Sequence, residues 1–205
     1  IDVVFAILLL TVMAPVAFVV AILVKLSSKG PVFFRQQRVG RFGKSFSLLK
    51  FRSMRTSSDG LEITVRGDKR ITRVGAILRR FKLDELPQLV NVLIGDMSLV
   101  GPRPEVPRYV AEYPEEIKSK ILSVRPGITD LASIHFIDEE SILLASDDPQ
   151  KSYVQEILPR KLAIYSDYVD MQSLKLDLTI LIKTFVAVVL SRRAERPIVN
   201  GVEKQ

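Results

Sequence analysis

Two adjacent carboxylates, Asp84 and Glu85, stand just ahead of Pro87 in the run Leu83-Asp84-Glu85-Leu86-Pro87-Gln88-Leu89, with Arg79, Arg80 and Lys82 immediately upstream. Proline is favoured in the first turn of a helix. A helix N-terminus and nearby cations both favour ionised carboxylates. Such a pair could hold a metal ion or attack a phosphoryl group. It also suits an acidic helix cap with a solvated neighbour. A second constellation is Gly101-Pro102-Arg103-Pro104-Glu105, in which two prolines stiffen the backbone around an arginine. A guanidinium presented at a fixed place binds phosphate oxygens bidentately. The plainer alternative is an exposed arginine in a proline-rich loop. The third is a dispersed cationic set, Lys50, Arg52, Arg79 and Arg125. Transfer from a diphosphate needs several cations besides a metal; the same residues could form a solvated basic face or one that meets anionic lipid.

Other chemistries are excluded. No G-x-x-x-x-G-K-[ST] loop, no G-x-G-x-x-G and no zinc ligand set occur. The absence of cysteine rules out disulfides and thiolate metal sites. His135 is the only histidine, so a Ser-His-Asp triad could form only around it, and it is given no role. The net charge of +7 over 205 residues suits an anionic partner: nucleic acid, anionic membrane or phosphorylated substrate.

The elements that must position these residues follow from the patterning. In residues 3–24 every position except Thr11 and Pro15 is Val, Phe, Ala, Ile, Leu or Met, about the length that crosses a bilayer. Pro15 removes a backbone N–H and kinks a helix. By composition a spanning helix is favoured; the competing form bends at Ala14-Pro15 and returns to the side it entered. Under either, the basic remainder belongs in the cytoplasm. Residues 31–54 read as a β-hairpin punctuated by Gly40 and Gly43. Residues 71–81 have helical spacing with Val74, Ile77, Leu78 and Phe81 on one face. Residues 87–93 and 114–122 form short helices. Residues 139–163 are helical, broken near Pro149 and Pro159, and a final helix over residues 174–193 is expected to pack on the core. The expected fold is α/β, helix-rich with a small sheet or hairpin: one compact catalytic domain (27–205) on an N-terminal membrane helix (1–26).

Taken together the chain resembles the monotopic phosphoglycosyl transferases, the bacterial sugar transferase family. The matching pieces run in family order: the apolar segment with its proline, Lys50-Phe51-Arg52-Ser53-Met54, Leu83 to Leu89, Asn91-Val92-Leu93, Gly95-Asp96-Met97-Ser98, Gly101-Pro102-Arg103-Pro104, Arg125-Pro126-Gly127-Ile128-Thr129 and Leu176-Asp177-Leu178. The resemblance implies a re-entrant helix bending at Ala14-Pro15 at the bacterial inner membrane, with a cytoplasm-facing site. It also implies a UDP-sugar donor, a polyprenyl (undecaprenyl) phosphate acceptor, Mg²⁺ and release of UMP, the first membrane step of glycoconjugate assembly. By position Asp84 would be the nucleophile that carries a phosphosugar. Glu85 would assist through the metal or by deprotonating the acceptor, both carboxylates being metal ligands. Arg103 would hold phosphate, with Lys50, Arg52, Arg79, Gln88 and Arg125 completing the site. The chain departs from the common pattern at Ala14, Asp130, Ser133, His135 and Tyr165, which receive no catalytic role. The rival reading is a membrane-tethered binding or scaffold protein for anionic lipid or nucleic acid. No nucleic-acid module is recognisable and no nucleic-acid partner is expected; membrane lipid is, and a homodimer is allowed for.

Overall fold

The computed structural model describes residues 2–55, 68–136, 143 and 146–190. Helix α1 (Asp2–Ser27) takes up the whole apolar run and continues through Pro15. At 1.5 Å per residue it is about 39 Å long. Most of it faces outward, with Val4, Leu8, Val12, Phe18 and Val19 among its exposed side chains, while Ala6, Val20 and Val24 are buried.

Strands β1 (Phe33–Val39) and β2 (Ser45–Phe51) form the expected hairpin, antiparallel with Phe34 opposite Lys50 and Arg38 opposite Phe46. Its tip turns through Phe42 and Gly43, both at positive φ. Helix α2 (Arg73–Arg80) begins where the Thr72 hydroxyl accepts from the Gly75 N–H at 2.8 Å. Ile77 leaves the expected apolar face: Leu78 is buried but Ile77 is exposed. Lys82, in the left-handed region at φ 54°, then reverses the chain into a 3₁₀ turn, Leu83–Glu85. The two carboxylates therefore precede the helix on their own turn, and α3 (Gln88–Leu93) follows after Pro87.

A second sheet is one the sequence pattern did not announce. Strands β3 (Ser98–Val100) and β4 (Gly127–Thr129) pair in parallel, with α4 (Pro107–Ala111) and α5 (Glu115–Ile121) in the crossover. Gly127 must be glycine, because a Cβ there would collide with the backbone of Gly101. Helix α6 (Leu131–His135) is capped by Asp130. After α7 (Pro149–Ser152) comes a π-helical turn, Tyr153–Ile157, which runs directly into α8 (Leu158–Met171). Pro159 therefore does not break a helix, since it lies in the first turn of α8, where its missing N–H is harmless. The part of the expected helix within 137–142 and 144–145 lies outside the described residues.

Helix α9 (Leu174–Leu190) packs on the core as expected, but on one face only. It buries Ile180 but leaves Leu178, Ile182, Phe185 and Val186 exposed, so one face packs and the other is apolar and open. Three apolar clusters hold the molecule together. One joins α4, α5, the π-turn and α8. The second joins Ala6 of α1 to Phe46, Leu48, Leu89, Met97, Leu99 and Ile180, and the third joins Val20 and Val24 to Phe51 and Leu78.

Candidate active site

The carboxylates are carried inward by the Leu83–Glu85 turn, and both are buried: Asp84 is 6% and Glu85 9% exposed. Glu85 Oε1 accepts from Lys50 Nζ at 3.1 Å and from Arg103 Nη2 at 2.9 Å. Burial acts to raise the Glu85 carboxyl, but the Arg103 guanidinium and the Lys50 and Lys82 ammoniums outweigh it and hold it well below the usual carboxylate range. Asp84 is treated oppositely. Its Oδ1 is buried with no hydrogen-bond partner among the described residues. Burial, then the neighbouring Glu85 charge, push its carboxyl above the ordinary value against the pull of Lys50, Lys82 and Arg79. Burial lowers the Lys50 ammonium, with Glu85 pulling it back up. Glu85 raises Arg103 further, so that guanidinium is permanently charged.

Each partner is delivered by a different element. Lys50 comes from β2, Arg103 from the proline-flanked loop after β3, and Arg79 from the last turn of α2. Arg79 faces Met54 Sδ at 3.7 Å and lies close enough to Asp84 to act on its charge. Gln88 opens α3, is 2% exposed, and has its Nε2 buried without a partner among the described residues. An orphaned acceptor on Asp84 and an orphaned donor on Gln88 thus occur four residues apart.

Two expected phosphate ligands are not brought to this cluster. Arg52 is spent on backbone: Nη2 donates to the carbonyls of Ser28 (2.7 Å) and Val24 (3.2 Å), and Nη1 to that of Pro31. Its guanidinium closes the C-terminus of α1, whose last carbonyls need donors. Arg125 is exposed, and its side chain has no hydrogen bond or ion pair to another described residue.

The site also depends on residues that sequence reasoning passed over. Asn91 of α3 accepts from the Leu49 N–H at 3.1 Å and donates to the Ser47 carbonyl at 2.9 Å. Its amide thus completes the open edge of β2 beside Lys50, fixing α3 against the strand. Asp130 is buried, held by the Ser133 N–H (2.7 Å) and hydroxyl (2.5 Å), and burial raises its carboxyl. The partners of Asn91 lie 42 and 44 positions away and are backbone groups, so no local periodicity signals them, whereas Asp130 is a local cap on α6.

The family model described as bacterial sugar transferase matches residues 1–191. The chain belongs to that family. The UDP-glucose:undecaprenyl-phosphate glucose-1-phosphate transferase of Caulobacter vibrioides is 39% identical over 89% of this chain and 66% of its own length. The enzyme of the same description from Escherichia coli K12 is 46% identical over 65% of this chain and 30% of its own. The UDP-N-acetylgalactosamine-undecaprenyl-phosphate N-acetylgalactosaminephosphotransferase of Aeromonas hydrophila is 43% identical over 65% of this chain and 32% of its own. The chain thus spans between about a third and two-thirds of the length of these relatives. An apolar helix as exposed as α1 calls for a non-aqueous surface, so the protein is membrane-associated.

Proposed function

We propose that the protein is a phosphoglycosyl transferase that moves a sugar-1-phosphate from a UDP-sugar to polyprenyl phosphate and releases UMP. The observation that carries the reading is the asymmetry of the carboxylates. Asp84 is desolvated with a free oxygen, whereas Glu85 is gripped by Lys50 and Arg103 on a single oxygen. A carboxylate stripped of hydrogen bonds is a good nucleophile, and one clamped between cations is not. An Asp84 oxygen would form a bond to the sugar-bearing phosphorus as the bond from that phosphorus to the UMP oxygen breaks. A phosphate oxygen of the lipid acceptor would then displace Asp84. Covalent catalysis of this kind divides one hard transfer into two easier ones. Arg103, Lys50 and Arg79 supply fixed positive charge where the transferring oxygens gather negative charge.

The residues also fit a Mg²⁺ ion. Among the described residues no cluster of three metal-ligating side chains occurs. Mg²⁺ at phosphoryl-transfer sites is held by one or two carboxylates together with substrate phosphates. The unpartnered Asp84 Oδ1, with Glu85 beside it, offers that set, and the ion would neutralise diphosphate charge.

The placement of α1 supports an anchor that does not span the bilayer, and we assign it to the cytoplasmic face of the inner membrane. Near its start, Asp2 Oδ2 accepts from Ser98 Oγ at 2.7 Å; near its end, the Val24 carbonyl accepts from Arg52. Both ends are held by one folded unit, whereas a spanning helix would separate them by the bilayer. Leu178, Ile182, Phe185 and Val186 of α9 offer a further apolar face to the same leaflet. The chain has no cysteine. Single cysteines at Val3→Cys and Lys29→Cys can therefore be probed in spheroplasts with an impermeant maleimide; labelling of either from outside defeats the re-entrant placement.

The activity is tested by UMP release from purified full-length chain with Mg²⁺, undecaprenyl phosphate and a panel of UDP-sugars. The relatives' descriptions place UDP-glucose and UDP-N-acetylgalactosamine first. Release with one donor, abolished by EDTA and by Asp84→Asn, is expected. Turnover surviving in Asp84→Asn excludes the covalent route.

A further inference from the structure

Arg103 can serve a phosphate only if its loop is rigid, and the backbone carbonyls of Pro102, Pro104 and Glu105 around it are all held. The Pro102 carbonyl accepts from the Gly127 N–H at 3.0 Å. The Pro104 carbonyl accepts from Arg38 Nη1 at 2.9 Å, and the Glu105 carbonyl from the Val39 N–H at 2.9 Å. The Glu105 side chain, 6% exposed, adds two more ties. Its Oε2 meets Arg38 Nη1 at 3.3 Å, and its Oε1 accepts from the Tyr153 hydroxyl at 2.5 Å. Arg38 is itself oriented by Gln36 Oε1, at 2.8 Å from Nη2 and 3.2 Å from Nε.

Tyr153 has little freedom. It opens the π-helical turn, and its ring lies 4.8 Å from that of Tyr109, with Lys161 Nζ 5.1 Å from its centroid. A π-turn inserts an extra residue into a helix and re-aims the side chains around it, and such turns recur at functional sites. Here the turn aims a buried hydroxyl across 48 positions of sequence at the carboxylate two residues beyond Arg103. The hairpin therefore brings both cations to Glu85 Oε1: β2 supplies Lys50 directly, and β1 holds Arg103 in place through Arg38 and Glu105.

We propose that Glu105, clamped by Arg38 and the π-turn hydroxyl of Tyr153, is a positioning residue that fixes Arg103 for phosphate. The proposal rests on the phosphate-holding role given to Arg103 above. A carboxylate serving only core packing would lower stability and leave substrate recognition alone.

The test uses the full chain in lipid nanodiscs with Glu105→Gln, Tyr153→Phe and, as a matched loss of a buried tyrosine hydroxyl elsewhere, Tyr168→Phe. Tyr168 donates to Asp177 at 2.8 Å and, at a longer 3.4 Å, to the Val100 carbonyl at the end of β3; its hydroxyl does not meet Glu105. Donor KM is expected to rise by about tenfold or more in Glu105→Gln and Tyr153→Phe, with a smaller change in kcat, and to stay put in Tyr168→Phe. In an Arg103→Lys background the further loss from Tyr153→Phe should shrink to less than about twofold, because residues acting as one unit are not additive. Phenylglyoxal modification of Arg103, followed by peptide mass spectrometry without any donor, should rise in both test variants and not in Tyr168→Phe. Unchanged Arg103 modification, or kinetic losses that merely track the thermal midpoint as in Tyr168→Phe, would overturn the proposal. If wild type turns over no UDP-sugar the transfer reading falls, while the modification rates still decide whether Glu105 holds Arg103.

Discussion

Neutral isosteres of the two neighbouring carboxylates should change stability in opposite directions. Glu85→Gln leaves Lys50 and Arg103, which now share Oε1 at 3.1 and 2.9 Å, facing each other without the charge that both of them contact. Breaking a buried ion pair from one side costs about 3–5 kcal/mol. For a domain of this size each kcal/mol is worth roughly 2–4 °C, so Tm should fall by about 6–20 °C. Asp84→Asn removes a desolvated charge whose Oδ1 has no partner among the described residues. Removal of one buried, unpartnered charge is worth about 1 kcal/mol net, because the amide that replaces it is still unpartnered, or roughly 2–4 °C upward. The signs follow from linkage. The Asp84 carboxyl is raised, so its ionisation subtracts stability as pH climbs through that raised value. The Glu85 carboxyl is depressed, so its ionisation adds stability above the ordinary carboxylate pKa, lost as pH falls through the depressed one. Each isostere locks its group neutral. The assay is circular-dichroism melting of the purified protein in detergent at neutral pH, with EDTA and no donor. A Glu85→Gln protein as stable as wild type, or an Asp84→Asn protein that loses more than it gains, would refute this account of the site.

Three further outcomes follow from the same contacts. Asn91→Ala strands the Leu49 N–H and the Ser47 carbonyl, which should cost about 1–3 kcal/mol in chemical melts and lower turnover by displacing Lys50. Gly127→Ala would drive a methyl into the Gly101 backbone; it should cost about 1–3 kcal/mol or prevent accumulation of folded protein, read by Tm and by yield. Arg52→Gln should lower Tm by loosening the end of α1, yet leave donor KM where it was; a raised KM would return Arg52 to the phosphate site.

What was legible in the sequence was whatever is local. The Asp84-Glu85 pair, the proline-locked Arg103 and Lys50 announce themselves by type and spacing, and the hairpin, α2 and α3 by period and punctuation. Four things were hidden, each for its own reason. Arg52 sits in the same basic run as Lys50, two residues along a strand and so on the same face, but the strand ends at Phe51 and the chain turns toward α1. The parallel β3–β4 pair is three residues long on each side, too short for alternation to show. Helix α9 carries Asp177 and Lys183 on an apolar background, a pattern that reads as a core helix until the exposure of Ile182 and Phe185 shows that only one face is covered. Glu105, Tyr153 and Asn91 act across 42 to 67 positions, a range at which composition is silent.

Helix α1 faces mostly outward, yet it also completes the interior. Ala6 and Leu10 fill one apolar cluster beside Met97 and Leu99, Val20 and Val24 fill another beside Phe51 and Leu78, and Arg52 spends its guanidinium on the helix's last carbonyls. A truncated chain starting after Ser27 would therefore not be a soluble version of the same enzyme. It would open two of the three apolar clusters among the described residues to water and leave a buried guanidinium with fewer acceptors, two residues from the lysine that reaches Glu85. Preparations of this protein that keep the helix and give it a lipid or detergent sleeve preserve the site; preparations that delete it for convenience dismantle the floor on which the carboxylates stand.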